Sequence, residues 1–175
     1  MAGTRYVALL RGVNLGGHNK VAMPELREAV EALGFRDVST FIASGNVVFT
    51  STVKVQPKKL EDAIRDQFGL DIDVMVRTAK QLDAIIDAVP FAKDAHEYVH
   101  VGFLQKKPPP AVVSEIDGAE FQPEAFAYKG TELYLYLPNG MGRTKLPAFL
   151  DRRVKVPVTI RTLKTVIKLR ELAGR

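Results

Sequence analysis

The segment Val38-Ser-Thr-Phe-Ile-Ala-Ser-Gly-Asn-Val-Val-Phe-Thr50 decides the fold of this 175-residue chain. Two runs rich in apolar and β-branched residues, 38–43 and 46–50, are separated by little more than Ser44-Gly45, and this pattern predicts a β-hairpin. Before the hairpin, the pattern predicts a strand over 5–10 and a helix from Pro24. After the hairpin, it predicts a helix from Pro57 and a strand over 72–77. The order βαββαβ is that of a ferredoxin-like unit.

The second half of the chain repeats this order. Its predicted strands are 97–104, 121–128, 132–137 and 156–161, and helices are predicted after Pro108-Pro-Pro110, over 146–151 and over 163–172. An additional helix is predicted from the capping box Thr78-x-x-Gln81. We therefore expect an α+β fold of two successive βαββαβ ferredoxin-like halves with additional helices. The expected N-terminal lobe is 1–92, and the expected C-terminal lobe is 93–175.

Composition excludes several classes of protein. At 46% hydrophobic residues the chain can bury a core, so wholesale disorder is not expected. It holds no stretch approaching the roughly 20 apolar residues that cross a bilayer, and Arg5 and Arg11 bracket only five apolar residues near the start. Without cysteine there is no disulfide, thiol nucleophile or thiolate metal site. We expect a cytoplasmic protein with no membrane partner.

The net charge of +5 is distributed unevenly along the chain. Residues 1–138 hold 15 Lys and Arg against 18 Asp and Glu, whereas residues 139–175 hold 10 against 2, a balance of +8. A basic end of this kind is typical of proteins that meet nucleic acid, nucleotides or an anionic surface. A solvated basic helix without a specific partner has the same composition, and charge alone does not separate the two.

The connection after the first strand, Arg11-Gly-Val-Asn-Leu-Gly-Gly-His-Asn-Lys20, is long for a link between strand and helix. Glycines, cations and exposed N–H groups are features that an anion seeks. In a βαββαβ unit this loop and the hairpin turn lie at the same end of the sheet. The predicted ligand-binding residues are therefore Arg11, Asn14, Gly16, Gly17, His18, Lys20, Ser44 and Asn46. In the alternative, Asn14, Asn19 and Ser44 only bond their own backbone and Arg11 pairs with a carboxylate.

The same reasoning predicts a second basic cluster. The loop after the third strand of the second half and the end of the fourth strand share one end of the sheet. Arg143, Lys145 and Arg161 are therefore expected to lie together and to hold an anion such as sulfate or phosphate.

Known catalytic motifs are missing from the sequence. Gly12 and Gly17 have Walker A spacing, but His18 and Asn19 follow where Lys and Ser or Thr are required. There is no Gly-x-Ser-x-Gly elbow, and the three histidines lack the spacing of a metal site. The sequence names no cofactor or reaction, and whether the protein is an enzyme stays open.

Nucleic-acid binding is the alternative to a small anionic ligand, because ferredoxin-like sheets can stack bases on their first and third strands. Tyr98 and His100 share one face of a strand, and Tyr134 and Tyr136 share one face of another. These rings beside the basic segment 139–175 would suit a single-stranded nucleic acid. The tyrosines would equally suit a seam between the two sheets, and no RNP-like run is present.

Several motifs resemble a known family. The string Arg11-Gly-Val-Asn-Leu-Gly-Gly-His-Asn-Lys-Val-Ala-Met23, with Ser44-Gly-Asn-Val47, Thr159-Ile-Arg161 and Thr165-Val166, is similar to the mostly bacterial domain of unknown function 1697 family. The resemblance covers nearly the whole chain and implies an α+β fold of two similar halves, with no established activity. The family tail usually reads Thr-x-Arg-Asn-Trp, whereas Thr162 and Leu163 follow Arg161 here.

Overall fold

The computed structural model describes residues 2–174 of the chain. Eight strands and six α-helices follow one another as β1 Thr4–Leu10, α1 Met23–Glu31, β2 Arg36–Thr40, β3 Asn46–Ser51, α2 Pro57–Phe68, β4 Val74–Thr78, α3 Ala79–Asp87, β5 Val99–Leu104, α4 Pro110–Ser114, β6 Ala125–Lys129, β7 Glu132–Tyr136, α5 Leu146–Val154, β8 Val158–Thr162 and α6 Leu163–Ala173. Two compact units result: the first holds residues up to Ala84 and those from Lys168, and the second is Ile85–Ile167. The predicted lobes 1–92 and 93–175 stay a prediction.

The first unit contains an antiparallel sheet in the order β2-β3-β1-β4. Side chains alternate along β1, so Tyr6, Ala8 and Leu10 lie in one core cluster with Leu26 and Val30 of α1. Proline stands at the start of both α1 and α2, where a missing N–H costs nothing. Gly69 ends α2 in the left-handed conformation at φ 69°.

The second unit repeats this arrangement in the order β6-β7-β5-β8. Its core on one face of the sheet gathers Leu104, three leucines of β7 and the segment after it, and the apolar residues of α5 (Leu133, Leu135, Leu137, Leu146, Leu150 and Val154). Like α2, helix α5 ends in the left-handed conformation, but the residue there is Lys155 at φ 55°. The predicted α+β fold of two ferredoxin-like halves is confirmed.

The register of the two sheets is the same. Val7 lies between Val48 and Arg77, and Val101 lies between Tyr134 and Arg161. A threonine directly precedes each of the helices that follow β4 and β8. Thr78 and Gln81 form the predicted capping box, with Gln81 N–H donating to Thr78 Oγ1 at 3.1 Å. Thr165 N–H donates to Thr162 Oγ1 at 3.1 Å in the same way.

Several predicted strands begin or end at other residues, and β4 and β8 both begin two residues later than predicted. Strand β2 ends at Thr40 rather than 43, because Ile42 has φ 52° and turns the chain out of the extended conformation. A 3-10 helix over Lys93–Tyr98 delays β5 to Val99, and another over Ala119–Phe121 precedes β6. Within residues 2–174, no helix combines the length and the apolar character needed to cross a membrane.

Candidate functional site

The loop after β1 folds into a small hairpin of its own. Asn14 N–H donates to Asn19 O at 3.0 Å, and His18 N–H donates to Leu15 O at 2.9 Å. Gly16 and Gly17 occupy the centre of this turn at φ 55° and 80°. Positive φ at both central positions is the pattern of a type I′ turn, which glycine adopts without steric cost. The glycine pair therefore sets the shape of the loop tip.

Asn14 ties the loop to the β2–β3 hairpin. Its Nδ2 donates to Val21 O at 2.9 Å and to Ala43 O at 2.7 Å, while its Oδ1 accepts from Val21 N–H at 2.9 Å. Asn14 itself has φ 54°, a conformation that asparagine tolerates better than most residues. The structure thus joins the two segments that the topology predicted to converge.

The β2–β3 hairpin presses closely against the start of the loop. Leu10 N–H donates to Gly45 O at 2.9 Å, and a Cβ on Gly45 would lie 2.7 Å from Val13 Cγ2. Only glycine fits there, because φ is also 88°. Buried Asn46 donates to Phe41 O at 2.8 Å and to Ser44 Oγ at 3.0 Å. Ser44 and Asn46 therefore help to build the turn.

The exposed part of the loop carries the polar groups that a ligand could reach. Gly16, Gly17, His18 and Lys20 are all exposed. Among the described residues, none accepts a hydrogen bond from the Gly16 or Gly17 amide. Arg11 Nη1 lies 3.4 Å from Asp73 Oδ2, and both side chains are about two-fifths exposed, at 41% and 37%. The eight predicted residues thus divide into a structural group (Asn14, Ser44, Asn46) and an accessible group (Arg11, Gly16, Gly17, His18, Lys20).

The three cations predicted as a second cluster differ in burial. Arg143 and Lys145 are exposed, just before α5. Arg161 is only 7% exposed, and its Nη1 donates to Thr159 Oγ1 at 2.7 Å and to Ile160 O at 3.0 Å. Burial lowers the pKa of Arg161 to about 10. Arg161 therefore lies on the strand face that Thr159 shares and offers no exposed charge beside Arg143 and Lys145.

The tyrosines of the second unit also differ from one another. Tyr134 is 1% exposed, and its hydroxyl donates to Ile85 O at 2.7 Å. Burial, with a smaller effect of the Glu132 charge, raises the pKa of Tyr134 to about 12. Tyr136 packs its ring 5.8 Å from Phe91 and 6.2 Å from Tyr98. Tyr134 therefore has no open face for a base, whereas Tyr98 is 37% exposed.

Sequence reasoning missed one buried cation, Arg77. It is 9% exposed and its Nη1 donates to Val76 O at 3.0 Å, as Arg161 Nη1 does to Ile160 O. The signal was the dipeptide Arg-Thr, which recurs at 77–78 and 161–162 directly ahead of a helix. Across residues 2–174, no three His, Asp or Glu side chains gather as metal ligands would.

Comparison with known proteins identifies the fold and the family. A structure of the conserved bacterial protein SP0830 from Streptococcus pneumoniae is similar, with a TM-score of 0.72 at 25% sequence identity, over 98% of this chain and 99% of that one. No curated protein matches the sequence. The model of the family described as Protein of unknown function (DUF1697) matches residues 3–134, which include the loop 11–20 and the turn 44–46. The chain therefore belongs to the DUF1697 family, as the motifs before residue 134 predict, while the similar motifs at 159–161 and 165–166 lie outside the matched residues.

Proposed function

We propose that the protein binds a small phosphate-bearing anion at the tip of the loop 11–20. The observation that carries this proposal is the pair of exposed amides at Gly16 and Gly17, which sit on a loop braced by Asn14. Successive backbone N–H groups near a cation form a cradle for phosphate oxygens. Because the brace already fixes the loop, little conformational entropy is lost when a ligand binds.

The charged groups around the tip suit the same ligand. Lys20 is exposed and, among the described residues, has no carboxylate partner. A Cβ built on Gly16 would lie 4.0 Å from His18 Cδ2, so the imidazole borders the glycine pair. The Arg11–Asp73 ion pair beside the loop is solvent-exposed and hence worth little, about 0–1 kcal/mol. Nucleotides and sugar phosphates are the expected ligand classes.

A thermal-shift screen tests this function. Inorganic phosphate, ATP and glucose 6-phosphate are titrated against the wild type, Lys20→Glu and Lys54→Glu. Lys54 is an exposed lysine of the same unit, away from the loop, and serves as the matched control. At a ligand concentration of about 100 Kd, binding contributes about 2.7 kcal/mol and raises Tm by roughly 5–10 °C. Lys20→Glu should lose that rise while Lys54→Glu keeps it. If none of the three anions raises the Tm of the wild type more than that of Lys20→Glu, the proposal fails.

Single-stranded nucleic acid is the alternative ligand. The basic segment 139–175 and the partly exposed ring of Tyr98 support it, whereas the burial of Tyr134 removes one of the rings on which it relied. Binding of an oligo(dT) that weakens steeply with salt would favour this alternative, because each neutralised phosphate releases counterions. Tyr98→Ala would then weaken binding without a change in Tm.

A further inference from the structure

A groove in the second unit carries positive charge that no function discussed so far uses. It follows β5, where Lys106 and Lys107 precede the three prolines, and it is bordered on the other side by Lys155 at the end of α5. Its volume is about 540 Å³. A second cavity of about 270 Å³ shares Lys107, Pro108 and Pro110 with it and extends to Tyr128. The two cavities are therefore bordered in part by the same residues.

The floor of the groove is apolar. Pro108, Val154 and Val156 are buried beneath it, and Val113 lines the smaller cavity. The three prolines have no backbone N–H, so this part of the loop offers no amide to a free anion. A hydrophilic ion gains nothing from such a floor, whereas an apolar side chain is stabilised by about 25 cal/mol for each Å² it buries.

The rim of the groove is cationic. Lys106, Lys107 and Lys155 are exposed, and none of them forms an ion pair within residues 2–174. In the described part of the chain, no Asp or Glu lines either cavity. Three cations around an apolar floor match a ligand that is acidic at its edges and apolar at its centre.

Lys155 gives a second reason to look for a ligand. It stands in the left-handed conformation at φ 55°, where helices commonly end in glycine because a Cβ is unfavourable there. Its amide still donates to Asp151 O at 3.0 Å, so the helix ends as it would with glycine. A lysine at this position costs stability, and the residue borders the groove.

We propose that this groove binds an acidic peptide segment of a partner protein, with an apolar side chain on the Pro108–Val154–Val156 floor and carboxylates at Lys106, Lys107 and Lys155. Single-stranded nucleic acid fits less well, because its bases stack on aromatic rings and the floor supplies proline and valine instead. Burial, with the nearby Asp151 charge, raises the pKa of Tyr128 to about 12, so its phenol stays neutral at the edge of the smaller cavity.

Fluorescence anisotropy with a labelled peptide tests the proposal. The probe is Glu-Asp-Glu-Leu-Val-Asp-Glu-Asp, and its neutral counterpart replaces each acid by the corresponding amide. We expect the acidic probe to bind more tightly, and more weakly as salt increases. Lys107, which borders both cavities, is changed to Glu, and the exposed Lys164 of the same unit, which lines neither, is changed to Glu as the control. Lys107→Glu should weaken binding about tenfold, and Lys164→Glu should leave it unchanged.

Lys155→Gly separates binding from folding. Glycine relieves the left-handed strain, so Tm should rise while affinity for the acidic probe falls about threefold. A lower Tm in this variant would overturn the proposal, because the lysine would then be structural. Equal affinity for the two peptides, equal losses in Lys107→Glu and Lys164→Glu, or displacement of the probe by inorganic phosphate or oligo(dT) would also overturn it.

Discussion

The two units have the same sheet register and different connections after their first strands. In the first unit, Val7 of β1 lies between a residue of β3 and the buried Arg77. In the second unit, Val101 of β5 lies between a residue of β7 and the buried Arg161. After β1 the chain runs through residues 11–22, which Asn14 braces, whereas the connection after β5 is only residues 105–109, and two of these five are proline. The repeated sheets fix the fold, and both proposed binding sites lie on the connections that differ.

Tyr134 and Val48 occupy equivalent positions, because they pair with Val101 and Val7. Their alanine variants should show the largest difference in the free energy of unfolding. Tyr134→Ala should lower the free energy of unfolding by about 3–5 kcal/mol, because it empties a buried site and removes the bond to Ile85 O. Val48→Ala should lower the free energy of unfolding by at most about 3 kcal/mol, because it removes only two methyl groups. Urea unfolding followed by circular dichroism gives both values.

Tyr134→Phe is the matched control, since it keeps the ring and loses only the hydroxyl, at an expected cost of about 1 kcal/mol. If Tyr134→Ala proved no more costly than Val48→Ala, the ring would not be packed as described. Tyr134→Ala also tests nucleic-acid binding. If the variant folds and its affinity for oligo(dT) is unchanged, the Tyr134 ring does not contact the nucleic acid.

The hairpin turns differ in the residue whose carbonyl accepts from the end of the first strand, Gly45 in one unit and Thr131 in the other. Gly45→Ala should cost about 2–4 kcal/mol, from left-handed strain together with overlap of the new Cβ with Val13 and Leu10. Gly12→Ala meets nothing within 4 Å at φ 67°, so it should cost only the strain, about 1–2 kcal/mol. Equal costs in the two variants would contradict the close packing of the turn against the loop.

Much of the frame could be predicted from sequence, because periodicity, helix-start prolines and glycine turns are local signals. The prediction that the loop 11–20 meets the β2–β3 turn used only strand directions, and the Asn14–Ala43 bond confirms it. Local signals were weaker at strand ends. The residues Phe41-Ile-Ala43 do not predict that Ile42 leaves the extended conformation, because β-branched residues favour strands.

The burial of individual polar side chains could not be predicted from the sequence. Arg161 was predicted at the end of a strand, and nothing in the local sequence says which face of the sheet its side chain takes. The structure puts it on the face where Val101 and Tyr134 are also buried, which depends on tertiary packing rather than on local pattern. Comparison of the two halves would have helped, because Arg77 occupies the same register position.

A smaller effect is expected from Asn14, which braces the loop 11–20 of the first unit. Asn14→Gly keeps the positive φ accessible and removes three hydrogen bonds, so the loop should loosen at a cost of about 1–2 kcal/mol. Hydrogen exchange of the Val21 amide should speed up, and the Tm rise with phosphate ligands should shrink. Asn19→Gly, which removes a single bond to Gly12 O, is the control. Identical exchange of Val21 in both variants would show that Asn14 is not the brace.

Tyr6 and His100 occupy the same register position in the two sheets, beside Thr78 and Thr162. The smallest expected effect is on the pH dependence of stability, to which only His100 of this pair contributes near neutral pH. Burial lowers the pKa of His100 below its usual 6.5. Below pH 6.5 the unfolded chain therefore takes up a proton that the folded chain does not, and stability falls as the pH falls through this window. One group contributes at most about 1.4 kcal/mol for each pH unit. His100→Tyr, which installs the residue of the first unit, should flatten the fall in urea midpoint between pH 7 and pH 5. His18→Tyr, at an exposed position, is compared with it, and the same change of slope in both variants would mean that burial of His100 is not the cause.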